Sequence, residues 1–389
     1  MKRILIFTGK GGVGKTSVAA AHAVRSAEEG KKTILISTDM AHNLSDLFEV
    51  RLGKEEVKVA ENLYALEIDP EYTLRTEFSD MMEAMEKMLT SLGEGDTGLD
   101  AFSMIPGMEE LFSLLKIKEL YEHSDYERII VDCAPTGETL SLLKIPELLC
   151  WYMEKFFPLG KVAVRIMSPV SKKLFQVELP NKKAMNQIQV FYTRLIELQE
   201  LLKDKEVCSI RLVTVPEKMI VEETKRNYMY MNLYNYNVDG IFINRVLPKE
   251  LENEFFEEWK VIQKTYIDEL HAVFGTVPMY EVPWYGTDLM GIEAIRQLAK
   301  DAFQGKQDVF SIWIRKEGEH YEQTKDGYEL QLYLPSLKKE DVDVSLSGSD
   351  VIVKIGNYKR NIPMPNVLRG LAVTGATFKE ETLVIGFAK

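Results

Sequence analysis

The chain has 389 residues, 46% of them hydrophobic, enough for about two or three domains with cores of their own. A formal net charge of −12 at pH 7 argues against general binding of nucleic acid or of an anionic lipid surface. The three cysteines, Cys133, Cys150 and Cys208, have no CxxC spacing, so neither a zinc clamp nor a redox pair is signalled. In chain order, Ile4 to Thr8 reads as a short buried strand, with an apolar stretch too brief for a signal peptide. A glycine-rich loop follows, then a helix from about Thr16 to Glu29 stopped by Gly30. Thr33 to Thr38, Arg128 to Asp132, Arg211 to Val215 and Gly240 to Asn244 read as further buried strands, and Leu140 to Leu143 begins a helix. Strands alternating with helices predict an α/β fold with a mostly parallel sheet covered on both faces.

Two stretches interrupt the alternation. Glu71 to Leu92 is amphipathic, with Met81, Met82, Met85 and Met88; Trp151 to Asp204 is long, mostly helical and opens on Trp151, Tyr152, Phe156 and Phe157. Both are expected as helical insertions, at about residues 71–120 and 151–205 of a first domain spanning 1–305. Near Phe303–Asp308 the composition changes and the helical signal stops. Short alternating segments at Phe310–Ile314, Tyr328–Leu334, Val342–Leu346, Val351–Ile355 and Thr382–Phe387 predict an all-β sandwich over 308–389. There is no run of 18 or more apolar residues, so no direct membrane span is expected, and scattered free thiols fit a cytoplasmic protein.

Gly9-Lys10-Gly11-Gly12-Val13-Gly14-Lys15-Thr16 satisfies G-x-x-x-x-G-K-[ST] between a strand and a helix, the context that this phosphate-binding motif requires. Its glycines let backbone N–H groups wrap phosphate oxygens, and the helix N-terminus adds its positive end. Lys15 is placed to neutralise the β- and γ-phosphates and the Thr16 hydroxyl to hold Mg²⁺. Gly11, Gly12, Val13, Gly14, Lys15, Thr16 and Ser17 are therefore the expected ATP contacts. A second lysine near the loop's start, Lys10, resembles the deviant P-loop group. The resemblance implies a homodimer in which Lys10 reaches the partner's nucleotide.

Ser37-Thr38-Asp39-Met40-Ala41-His42-Asn43-Leu44-Ser45-Asp46 and Asp132-Cys133-Ala134-Pro135-Thr136-Gly137-Glu138-Thr139-Leu140 resemble the two switches of the arsenite-pump-driving and tail-anchored-protein-targeting ATPases. Asn244-Arg245-Val246-Leu247-Pro248 is similar to that family's adenine-side segment. The resemblance implies that Asp39 orients or deprotonates the attacking water, that Asp132 supports Mg²⁺ through water, and that Gly137 lets the second switch move. It also implies that Asn244 and Glu217 contact nucleotide while the loop at Val282-Pro283 flanks the adenine. Asp39 could instead be a helix N-cap, and Asn244 and Glu217 structural turn residues. Met40 stands where the family has proline, and Glu138 where it has histidine. His22 and His42 are read as structural. The family implies either a hydrophobic client protein or a membrane pump as partner. Met81, Met82, Met85, Met88, Met104 and Met108 are read first as core filler, second as an adaptable client groove. Trp151, Phe156 and Phe157 leave the same choice open.

Gly327–Pro335, Lys338–Val342, Lys359–Pro365 and Thr382–Ile385 resemble the core of α-crystallin-type domains, whose exposed edges engage other chains. Three functions follow as expectations. The first is a homodimeric, Mg-dependent ATPase that couples nucleotide state to client binding. The others are an arsenite-efflux motor subunit, and a chaperone-like binding protein with a slow ATPase.

Overall fold

The computed structural model describes residues 2–39, 43–77, 108–135, 137, 139–148, 150, 182–303, 308–316, 318–325, 327–348, 350–368 and 371–388. Met40, His42, Met81, Met82, Met85, Met88, Met104, Glu138, Trp151, Phe156 and Phe157 lie outside the described residues, as does the side chain of Met108.

The first part is an eight-stranded sheet. Its strands are β1 (Arg3–Thr8), β2 (Thr33–Ser37), β3 (Val57–Ala60), β4 (Leu63–Glu67), β5 (Arg128–Asp132), β6 (Cys208–Thr214), β7 (Val238–Val246) and β8 (Met279–Pro283), in the order β3-β4-β2-β5-β1-β6-β7-β8. Every pairing is parallel except that of the edge strand β3 with β4. The helices are α1 (Lys15–Glu28), α2 (Asn43–Phe48), α3 (Pro70–Glu77), α4 (Met108–His123), α5 (139–148), α6 (Lys182–Lys203), α7 (Lys218–Leu233), α8 (Glu254–Phe274) and α9 (Gly291–Phe303). Within the two expected insertions, the described residues are helical in α3, most of α4 and α6.

Both faces of the sheet are buried, which is why its strands read as unbroken apolar runs. Alternate residues of β1 serve opposite layers, as the two-residue period of a strand requires. Leu5 and Phe7 face α1 and α9, packing with Val18, Val24, Ile295 and Leu298. Ile4 and Ile6 face the other layer, with Phe112, Leu198 and Tyr228 of α4, α6 and α7. In the first layer His22 is fully buried among the rings of Phe7, Phe303 and Phe242, its Nδ1 2.7 Å from the Val18 carbonyl. The structural reading of His22 fits this setting.

The second part is a sandwich of two antiparallel sheets. One runs β14-β15-β10-β9, built from β9 (Glu319–Gln323), β10 (Gly327–Tyr333), β14 (Ala372–Lys379) and β15 (Thr382–Ala388). The other runs β11-β12-β13, from β11 (Val342–Ser347), β12 (Asp350–Ile355) and β13 (Tyr358–Pro363). Leu330, Leu332, Val353, Ile362, Ile385 and Phe387 fill its interior, and that interior is continuous with the α4–α6–α7 layer of the eight-stranded sheet.

Phe310–Ile314 is not the strand that its alternation predicts; residues 308–316 lack strand structure and lie against the eight-stranded sheet. Their backbone carbonyls are taken by that sheet: Arg211 donates to Val309 and Ser311, and Asn237 to Ile314. Arg211 itself is fully buried, paired with Asp239 and stacked 3.7 Å under the Trp313 ring. A ladder partner was never available to this segment because its hydrogen bonds go to side chains of β6 and its neighbours.

Burial, and after it the charge of Arg211, hold the His22 imidazole well below its ordinary pKa of 6.5. The folded state keeps His22 neutral, whereas the unfolded chain takes up a proton near pH 6.5. Its contribution is therefore complete above that pH and is lost as pH falls toward the folded value. Urea-unfolding midpoints across the acid range should show this slope, at most about 1.4 kcal/mol per pH unit, and a His22→Phe variant should lack it.

Candidate functional site

β1, β2 and β5 are adjacent and in register: Phe7 and Ser37 both pair with Asp132. Their carboxyl ends therefore stop at one level, and the three loops that follow meet in the crevice where open α/β sheets place ligands. A cavity of about 610 Å³ lies there. Its lining includes Gly11, Gly12, Gly14, Lys15, Thr16, Ser17, Asp39, Pro135, Asn244 and Pro283, which were singled out from the sequence. Asp46 and Arg245, from the quoted switch and adenine-side segments, line it too, as do Trp284, Tyr285, Asp288 and Met290, whose part in the cavity had not been anticipated.

The loop between β1 and α1 is shaped by close approaches. A Cβ on Gly9 would stand 2.1 Å from the Val213 carbonyl oxygen, so only glycine lets the loop leave β1 against β6. Gly14 has φ of 91° and would place a Cβ 2.3 Å from the Asn244 amide nitrogen. That amide donates to the Val13 carbonyl at 2.8 Å, while the Asn244 Oδ1 accepts from the Arg245 backbone at 2.9 Å. Asn244 thus pins the phosphate loop to β7, and one amide N–H and one oxygen lone pair remain for a base. α1 begins at Lys15 with its first N–H groups turned toward the cavity end of the loop, the arrangement that favours an anion. Lys15 Nζ rests on the Lys10 carbonyl, 3.3 Å away.

Thr16 donates to Asp132 Oδ2 at 2.7 Å. The other carboxylate oxygen of Asp132 is buried with no hydrogen-bond partner. Burial pushes the Asp132 pKa up to about 7, helped by the Asp39 carboxylate and opposed by the Thr16 hydroxyl and by Lys15. A buried carboxylate with an orphaned oxygen beside a hydroxyl is an all-oxygen donor set that suits a hard divalent cation, so these residues fit Mg²⁺. Asp39 follows β2; its backbone N–H donates to the Ser37 hydroxyl at 3.1 Å. The second switch is tied to the first by Ala134, whose N–H points to the Thr38 hydroxyl at 3.4 Å.

Five expected residues sit differently. Val13 is fully buried and Asp132 nearly so, and neither lines the cavity. Lys10 does not line the cavity; its ammonium lies 3.6 Å from Glu223 on α7. Glu217 is the exposed residue ahead of α7 and is not in the lining. Pro283 is the last residue of β8, not part of a loop, though it does line the cavity. The carboxyl-edge rule would have found Trp284, Tyr285 and Asp288, since they directly follow that strand. None of the three buried cysteines is in a disulfide, and burial lifts the thiols of Cys133 and Cys208 to about 12.

Residues 2–304 match the family model described as anion-transporting ATPase, and residues 325–387 match that of the HSP20-like domain found in ArsA. A protein of Chlorobaculum tepidum named as a candidate arsenical pump-driving ATPase is 37% identical over 388 residues, 99% of this chain and 96% of that one. A second protein so named, from Aquifex aeolicus, is 31% identical over 393 residues, 98% of this chain and 99% of its own. The ATPase get3 of Pyrenophora tritici-repentis is 29% identical over 309 residues, 77% of this chain and 90% of that one.

Replacing Asn244 with alanine frees the loop at Val13. Nucleotide affinity should fall about tenfold, the equivalent of one hydrogen bond of ~1.4 kcal/mol, as read by titration calorimetry with ADP.

Proposed function

Because the chain belongs to the anion-transporting ATPase family, we propose that it is a homodimeric ATPase whose nucleotide state governs the binding of a client protein, with hydrolysis driven from Asp39. The chief support is the meeting of Thr16, Asp132 and Asp39 at the edge of one cavity with the phosphate loop. The backbone of Gly11–Thr16 wraps the phosphates and Lys15 offsets their charge. Thr16 and Asp132 would hold Mg²⁺, which supplies charge neutralisation at the β- and γ-phosphates when bound. Asp39, arriving from a different strand, orients the attacking water and takes its proton as the new bond to the γ-phosphorus forms and the bond to the bridging oxygen breaks, ADP leaving with that oxygen. Asn244 and Arg245 face the base side, with Pro283 beneath it, and Glu217 acts only if α7 moves toward the cavity. Gly137 gives the second switch the freedom to respond when the γ-phosphate leaves.

Lys10 supports the dimer reading in an unexpected way. Parked on Glu223 with both side chains about one-third exposed, it is held by a pair of small energetic value and is free to leave for a partner's nucleotide. No helix among the described residues is long and apolar enough to cross a membrane, which is compatible with a cytoplasmic protein acting through partners. The names of the relatives that span the whole chain favour one alternative, an arsenite-efflux motor subunit. The burial of Cys133, Cys150 and Cys208 weighs against it.

Steady-state hydrolysis tests the reading. Asp39→Asn should lower kcat by ~10²–10⁴ while affinity for a non-hydrolysable ATP analogue stays within a few-fold. Unchanged turnover would remove Asp39 from the chemistry. Stimulation of the parent by arsenite, and not by a hydrophobic helical peptide, would decide for the pump subunit. For Lys10→Ala the expectation is loss of analogue-induced dimerisation in sedimentation velocity. A variant that still dimerises with normal turnover would end the trans-acting role.

A further inference from the structure

Outside the nucleotide cavity, a second group of buried charges lies at the seam between the ATPase sheet and the sandwich. Arg360 on β13 is 5% exposed. It donates to Glu147 Oε1 at 3.1 Å and to the Leu233 carbonyl at 2.6 Å, and pairs with Glu319 of β9 at 2.8 Å. The other oxygen of Glu147 accepts from Lys203 at 2.5 Å and faces Gln199 at 3.4 Å, both on α6. Two cations and two carboxylates balance, which is the condition for keeping charges out of water. Burial raises the Glu147 pKa, but Arg360 and Lys203 outweigh it and hold the carboxyl below its ordinary range.

Glu147 belongs to neither the sandwich nor α6. It lies near the end of α5, and the start of α5 hangs from the second switch. There the Thr139 N–H donates to the Pro135 carbonyl at 3.1 Å, and its hydroxyl to Ala134 at 2.7 Å. Pro135 lines the nucleotide cavity. At about 1.5 Å per residue, the helix carries the step from Thr139 to Glu147 over about 12 Å. Along the way Tyr236 donates to the Leu143 carbonyl at 2.6 Å, and Lys144 sits 4.6 Å over the Tyr358 ring of β13. Pro146 has no N–H for the helical ladder just before Glu147, so that turn of α5 has one backbone hydrogen bond fewer.

We propose that Arg360 and Glu147 are a positioning pair for ATP turnover: they tie the far end of the second switch to the sandwich. A nucleotide-driven shift of residues 132–139 is thereby carried through α5 to the seam, and the docked sandwich biases which nucleotide the switch prefers. The proposal rests on the reading of residues 132–140 as the segment that responds to nucleotide. Linkage makes the two effects reciprocal, so either can be measured. A network serving stability alone would alter unfolding and leave nucleotide preference untouched.

Hydrogen exchange and nucleotide titrations on the full-length chain test it, using ADP and a non-hydrolysable ATP analogue. In the parent, peptides covering 139–148 and 356–363 should both differ between the two nucleotide states. In Glu147→Gln and Arg360→Lys the difference at 356–363 should vanish while that at 139–148 persists, and the ratio of Kd values for ADP and analogue should shift at least about fivefold. Tyr358→Leu, which leaves the charged cluster intact, should reduce the difference at 356–363 even where the charge variants do not fold. A parent that responds at 139–148 and not at 356–363 overturns the proposal alone. A parent unresponsive at both sites overturns the switch reading and the proposal with it. Variants that keep the parent's seam response and Kd ratio overturn the pair's role.

Discussion

The register of three central strands governs the rest of the molecule. With Asp132 level with both Phe7 and Ser37, the phosphate loop, Asp39 and the second switch emerge side by side from one sheet edge. A slip of one residue in β5 would turn Asp132 to the opposite face and bury a carboxylate among the side chains of the other layer. Ile129 and Val131 serve one apolar layer and Ile130 the other; since all three are apolar, the penalty for a shift falls on the displaced Asp132 carboxylate. The geometry of the candidate site follows from strand register.

The same two-faced burial explains how a sandwich comes to be fastened to an ATPase. The layer containing α6 and α7 presents tyrosines at its outer margin: Tyr228, Tyr230 and Tyr234. Each combines an apolar ring with a hydroxyl, so aromatic area is buried while the polar end can still find a hydrogen-bond partner at the seam. Tyr230 lies against Tyr358 with ring centroids 3.8 Å apart, Tyr234 donates to the Lys359 carbonyl, and Lys316 bridges the hydroxyls of Tyr228 and Tyr333. The charged cluster around Arg360 lies within this aromatic frame.

Much of this was legible from residues alone, and the failures are instructive. The phosphate loop was readable because its chemistry depends on glycines at fixed spacing, and a strand and helix flank it. β1, β2, β5, β6 and β7 were readable because both-sided burial leaves an unbroken apolar run; β4, interior and mostly buried, was not named. β3, β9 and β14 were not, since each is an edge strand with a wet face: Glu319, Glu322 and Gln323 in β9 give no apolar signal. Phe310–Ile314 misled for the opposite reason, as its alternation arises from packing on the flank of another sheet. At the site, the residues after β8 carry no motif; they are brought in by their place at the sheet edge. Lys10 was visible as a residue, but its rest position depends on Glu223, more than two hundred residues away in sequence.

The latch formed by Arg211 bears on how such a protein could be assembled from parts. Arg211 lies in the ATPase sheet, yet its hydrogen-bonding capacity is completed by the carbonyls of Val309 and Ser311, and its flat face is covered by Trp313. The Trp313 ring also fills the space over Gly240, where a Cβ would fall 2.4 Å from it. The connecting segment is therefore a structural component of the first part and behaves as a rivet between the two. A recombination event that exchanged one sandwich for another would keep the sheet intact only by inheriting residues 308–316 together with the ATPase, so the natural joint for modular exchange lies beyond the rivet, ahead of β9.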